Sequence, residues 1–155
     1  MGHFGNGEWN DPCGPVFRKD MVWRTNNVDG THVPIINNDA AAEAASPTSY
    51  FVNRTGLYTA MAATKARVGE TGASLQVFEI GVTYTDDTGI KYLTLTGNIP
   101  SDAQGNDVWD SPPLSTQPFK ALAGTNISFW YTTTQNGAGS GADTIFDLHL
   151  LVRAI

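Results

Sequence analysis

Three histidines, one cysteine and an acidic loop are the places where this sequence could hold chemistry. No two of His3, His32 and His149 stand at the short spacing by which paired imidazoles share a zinc ion. His149 shares one face of an alternating C-terminal segment with Asp147 and Arg153. A catalytic cluster is conceivable there, but an exposed polar face or a subunit contact is the simpler reading. Cys13 has no partner for an internal disulfide, and a reactive thiolate needs a base. Only His3 is near it in sequence, so Cys13 reads as a small packing residue. Asp102, Asn106, Asp107 and Asp110 offer oxygens to calcium. They lack the regular spacing and the bidentate Glu of a helix-loop-helix site, so a solvated loop is the simpler reading. Trp109, in the same loop, could stack on a sugar ring or plug the base of its own loop; the second is favoured. Gly137, Gly139 and Gly141 run into a strand-like segment, not a helix, and so lack the geometry that cradles phosphate. There is no nucleophile elbow, phosphate loop or dinucleotide fingerprint. The expectation is a chain with no catalytic residue, no metal and no cofactor.

Composition narrows the partners. The chain has 155 residues and a formal charge of −6, with nine Lys and Arg and no basic run. Phosphate backbones are bound by clustered Lys and Arg releasing counterions, so neither nucleic acid nor an anionic membrane surface is an expected partner. No apolar run approaches the ~20 residues of a membrane span. Residues 1–9 show neither the basic nor the apolar segment of a secretory leader. The acceptor-like triplets Asn53-Arg54-Thr55 and Asn126-Ile127-Ser128 are therefore expected to be chance matches. Charged residues are 15% of the chain, against the ~25% usual in soluble domains. That suits β-surface partly covered by neighbours.

The elements that would position these residues fall into two regions. Residues 1–47 are rich in Gly, Asn, Asp and Pro, which break regular structure. They also carry Phe4, Trp9, Phe17, Met21 and Trp23, more large apolar groups than a disordered tail holds. The expectation is an extended, irregular arm that docks on a partner surface through these five side chains. Residues 39–46 could add a short helix, capped by Asp39 and stopped by Pro47. Residues 48–155 read as a β-sandwich. Segment 57–68 is ambiguous between helix and strand, and its place between turns favours strand. Phe78, Ile80, Val82 and Tyr84 alternate, Asp86-Asp87-Thr88-Gly89 signals a hairpin, and 97–115 reads as a polar loop. Segments 126–134 and 144–155 alternate again.

Two stretches carry a resemblance. The string SYFVNRTGLYTAMAATKARV is similar to the aromatic strand, Gly-x-Tyr turn and long strand of tumour-necrosis-factor-like and complement-globular-head-like jelly rolls. The string PFKALAGTNISFWY, with TIFDLHLLVRAI after a loop, resembles their last strands. The resemblance covers residues 48–155. It implies an all-β, jelly-roll-like antiparallel sandwich that assembles as a homotrimer, with Tyr58, Phe129 and Tyr131 as candidates for the subunit interface. In size, low charge and N-terminal arm the chain also resembles capsid decoration, or cement, proteins of tailed phages. That resemblance implies a virion location, with major capsid protein subunits as partners of the arm. The alternative function is a carbohydrate- or receptor-binding β-module of a phage fibre or secreted assembly. An enzyme is the least expected of the three.

Overall fold

The computed structural model describes residues 14–24, 30–37, 46–68, 78–95, 108–133 and 144–155. Twelve strands run through them: β1 (Gly14–Arg24), β2 (Gly30–Pro34), β3 (Ile36–Asn37), β4 (Ser46–Pro47), β5 (Ser49–Phe51), β6 (Gly56–Val68), β7 (Phe78–Asp86), β8 (Gly89–Thr94), β9 (Val108–Ser115), β10 (Phe119–Ala121), β11 (Asn126–Thr133) and β12 (Thr144–Ala154). No helix occurs among the described residues.

The strands form two main antiparallel sheets. In the first, β1, β12 and β6 lie side by side, and β9 and β10 follow one another along the far edge of β6. In the second, β11, β7 and β8 lie side by side, and β2 and β5 share the free edge of β11. The pairing is nested. The first strand pairs with the last, β2 and β5 with β11, β6 with β9 and β10, and β7 with β8. One long hairpin, rolled up so that successive layers fall in opposite sheets, is the jelly roll.

Alternation fills the space between the sheets. Tyr58, Ala60 and Ala62 of β6 and Leu148, Leu150 and Val152 of β12 point inward. Ile80 and Val82 of β7 and Ile127, Phe129 and Tyr131 of β11 face them. Aromatic pairs cross the interior. Phe17 stacks on Phe129 at 6.3 Å, Trp23 meets Tyr131 edge-on at 4.8 Å, and Tyr84 stacks on Phe119 at 4.3 Å. Such pairs add specific attraction beyond the area they bury.

The turns hold register. Asp86 closes the β7–β8 hairpin by accepting bonds from the Thr88 amide and hydroxyl, both at 2.7 Å. Gly89 follows at φ +118°, a backbone that a side chain would strain. The same bonds, chiefly from the Thr88 hydroxyl, hold the Asp86 carboxyl below its ordinary pKa.

Three expectations need correction. Residues 14–24 are not an irregular arm: β1 pairs along its length with β12, from Gly14 opposite Ala154 to Arg24 opposite Ile145. Residues 30–34 are a strand as well. Their backbone pairing is with β12 and β11, strands near the far end of the chain, a connection that local Gly and Pro content does not reveal. Likewise 108–115 is an edge strand and not a loop. Pro112 and Pro113 fall where its register against β6 shifts, a position where missing amide donors are tolerated. The 57–68 segment is strand, as expected. The helix over 39–46 lies outside the described residues, except that Ser46 belongs to β4.

Candidate assembly face and ligand pocket

The residues expected to act in contacts divide three ways. Phe4 and Trp9 lie outside the described residues. Phe17, Met21 and Trp23 belong to the inner face of β1: Trp23 is 1% exposed, and Phe17 and Met21 pack against the core. Tyr58, Phe129 and Tyr131 are 4%, 1% and 3% exposed. They are core residues and not an interface, because the alternation of β6 and β11 turns them inward. Two expected arm residues and two expected interface residues in fact meet each other: Phe17 with Phe129, and Trp23 with Tyr131. The Tyr58 hydroxyl donates to the Arg54 carbonyl at 2.5 Å, and burial raises its pKa.

The opposite phase of these strands builds an outer face on the first sheet. Leu57 and Ile155 are half exposed there, joined by a bond from the Ile155 amide to the Leu57 carbonyl. Met61 and Leu151 sit opposite each other across β6 and β12, and Val16 and Val22 of β1 are exposed. Polar groups are set among them. Asp20 holds the His149 Nδ1 at 2.8 Å and the Arg18 Nε at 3.0 Å. The His149 bond, then Arg18, keeps the Asp20 carboxyl below its ordinary range despite some desolvation. His149 is thus an exposed hydrogen-bond partner of Asp20. Asp147 shares its strand face, opposite Val22 and Lys65. Among the described residues, no group of three His, Cys, Asp or Glu is placed to hold a metal. Asp102 and Asp107 lie outside those residues, and Asp110 falls in β9 opposite Lys65. Trp109, also in β9, stands opposite Ala66.

A second feature escaped the sequence reading. On the outer face of the second sheet, Trp130 of β11 lies across Gly81 of β7. A Cβ at Gly81 would stand 2.0 Å from the indole, so only glycine admits the ring. His32 stacks on Tyr92 at 3.9 Å and 9°, and meets Trp130 edge-on at 4.4 Å. His32 itself has φ +53°, and its amide donates to the Thr132 hydroxyl at 3.0 Å. Residues held in such backbone regions cost ~1–3 kcal/mol and cluster at functional sites. Beside the rings, a cavity of about 390 Å³ opens where β2 gives way to β5. Thr48 and Trp130 both line it, 4% and 2% exposed, and neither Thr48 Oγ1 nor Trp130 Nε1 has a hydrogen-bond partner. A buried polar atom left unpaired costs ~1–3 kcal/mol. The sequence signal was the Gly81–Trp130 pairing, visible only once the register is known.

Fold and faces together define a jelly-roll sandwich with one apolar-and-charged outer face and one aromatic pocket. No family model matches the chain, and no curated protein sequence does. Among solved structures, the globular domain of zebrafish complement 1qA protein is 8% identical, with 86% of this chain and 94% of that one covered and a TM-score of 0.48. The infectious bursal disease virus Gx strain structure is 11% identical over 88% of this chain and 32% of that one, with a TM-score of 0.39. The CBM22-1–GH10 modules of the Clostridium thermocellum xylanase 10B, complexed with xylohexaose, are 14% identical over 88% and 24%, with a TM-score of 0.37. At these values the jelly-roll assignment rests on the strand pairing itself.

Proposed function

We propose that this chain is a structural virion protein, a homotrimeric jelly roll that decorates a capsid and stabilises it by contact alone. The observation that carries the reading is the outer face of the first sheet. It combines half-exposed Leu57 and Ile155, exposed Val16 and Val22, and the Met61–Leu151 pair with the Arg18–Asp20–His149 cluster. Apolar centres set among polar groups characterise subunit interfaces. The occupants are the two other copies of the chain: round a threefold axis contacts run head to tail, so the acid and base that stand side by side on this face can each meet the opposite charge at the edge of the next copy. This face takes the role that Tyr58, Phe129 and Tyr131 were expected to play.

The arm of this reading shortens to residues 1–13, with Phe4 and Trp9 as its apolar anchors. They precede Gly14, where β1 begins at the edge of the same sheet. We place them on a major capsid protein subunit, with the trimer seated over a junction of such subunits. Burying one large apolar side chain contributes ~1.5–3 kcal/mol, and three arms per trimer multiply the contact through a shared anchor. The test is a particle. An antibody to the chain should label the head surface of virions from the source of the gene. Added trimer should cosediment with heads stripped of it, and removal of residues 1–13 should weaken that binding sharply. Heads that neither carry nor bind the trimer would refute the assignment.

A further inference from the structure

We propose that the cavity on the outer face of the second sheet binds one neutral sugar ring, free or at the end of a glycan. The inference stands apart from the assembly reading, since the pocket and the outer face of β1, β12 and β6 lie on opposite sheets.

The chemistry of the wall selects the ligand. Among the described residues that line the cavity, none is Asp, Glu, Lys or Arg, and the lining is dominated by rings, hydroxyls and an amide, which suits a neutral ligand better than an ion. Its lining combines the Tyr92, His32 and Trp130 rings with the polar side chains of Ser128 and Asn126. A pyranose carries both halves of that pattern: a C–H face that packs on an aromatic ring, and a rim of hydroxyls that donate and accept. The volume, about 390 Å³, lies in the ~300–1,000 Å³ range of small-ligand sites. A wholly apolar ligand would leave the two unpaired atoms as they are.

Thr48 Oγ1 and Trp130 Nε1 are the second, independent indication. One is a donor and acceptor, the other a donor only, and both belong to side chains more than nine-tenths buried. They lie just behind the cavity surface. A sugar hydroxyl seated against this wall would offer each of them the partner it lacks. His32 borders the same wall, its ring stacked on half-exposed Tyr92 and its backbone amide tied to Thr132.

The test uses the full chain and the methyl glycosides of glucose, galactose, N-acetylglucosamine and xylose, with their short oligomers. Binding is followed by calorimetry and by the indole N–H resonance of Trp130. At least one sugar should bind saturably and move that resonance downfield, the mark of a hydrogen bond gained. Tyr92→Ala should weaken binding at least tenfold by removing the stacking surface. Thr48→Val, which keeps the shape and removes the unpaired hydroxyl, should raise the unfolding midpoint and weaken binding at least fivefold. Leu57→Glu, on the other sheet, should leave binding unchanged, so a failure of assembly and a failure of the pocket are read separately. If no glycoside shifts the Trp130 signal at tens of millimolar, the pocket is not a sugar site. A Thr48→Val protein that is stabilised but binds unaltered would show the unpaired hydroxyl to be a packing defect and overturn its role.

Discussion

Replacing Trp23 with alanine separates a strand from an arm. Trp23 is 1% exposed, lies on the inner face of β1 and meets the Tyr131 ring edge-on at 4.8 Å. A buried tryptophan removes about 200 Å² from water. At ~25 cal/mol per Å² that is about 5 kcal/mol, an upper figure because unfolded chains are already partly compact. Measured costs of such truncations, ~3–5 kcal/mol, agree. The whole domain is stable by ~5–15 kcal/mol, so the change removes about a fifth of the total or more. With a urea slope of ~1–3 kcal/mol per molar, the midpoint should fall by about 2 M, read by far-ultraviolet circular dichroism. Trp9→Ala is the control: the same chemistry before β1 should cost under ~0.5 kcal/mol. If Trp23→Ala shifts the midpoint no more than Trp9→Ala, β1 is not part of the cooperative unit, and the extended-arm reading of residues 14–24 returns.

The other expectations concern backbone, titration and truncation. Gly81→Ala should prevent folding or cost more than the ~1–3 kcal/mol of ordinary overpacking, since its Cβ would stand 2.2 Å from the fixed Leu93 carbonyl as well as on the indole; a midpoint near that of the parent chain would show that Trp130 does not cover this site. Asp20 should titrate below its ordinary 3.8 and move up toward it in His149→Ala, followed by its carboxyl carbon resonance. Because its folded value is depressed, its stabilising contribution is complete above the ordinary value and is lost as pH falls through the folded one; an unchanged titration in the variant would mean the hydrogen bond is not populated in solution. Tyr58 and Tyr84, raised chiefly by burial, should resist ionisation above pH ~10, and stability should fall as pH rises through that range toward their folded values; ultraviolet titration that finds both ionising with the exposed phenols would contradict their placement. Removing residues 1–13 should leave the midpoint nearly unchanged, whereas removing 1–20 cuts most of β1 from its pairing with β12 and should unfold the domain.

What the sequence made legible was local. The alternation of Ile80, Val82 and Tyr84, the Asp86–Gly89 hairpin and the inward phase of β12 depend on neighbours a few residues apart, and they stand in the structure as read. What it hid was long-range. In β1, Phe17, Met21 and Trp23 do alternate, but Lys19 interrupts them on the same inner face and Val16 and Val22 point outward. An inward lysine on an edge strand is a known guard against edge-to-edge pairing, and it blurs the pattern that would announce the strand. In β9 the two prolines suggested a loop, and only the register shift against β6 accommodates them. The candidate faces were illegible for a related reason. Aromatic residues were assigned to contacts by type, whereas phase decides: Phe129 and Tyr131 turn inward, and Trp130 between them turns outward onto Gly81. The apolar outer face was overlooked because Leu57, Met61 and Leu151 are the ordinary residues of a strand until their neighbours show which side is already filled.

The mass of the full chain in solution tests the central claim most directly. One subunit is 16.6 kDa. Light scattering on a micromolar sample should give three times that mass, and Leu57→Glu combined with Leu151→Glu should give a single, folded subunit. A parent chain that scatters as a monomer, with those exposed apolar side chains in water, would contradict the account.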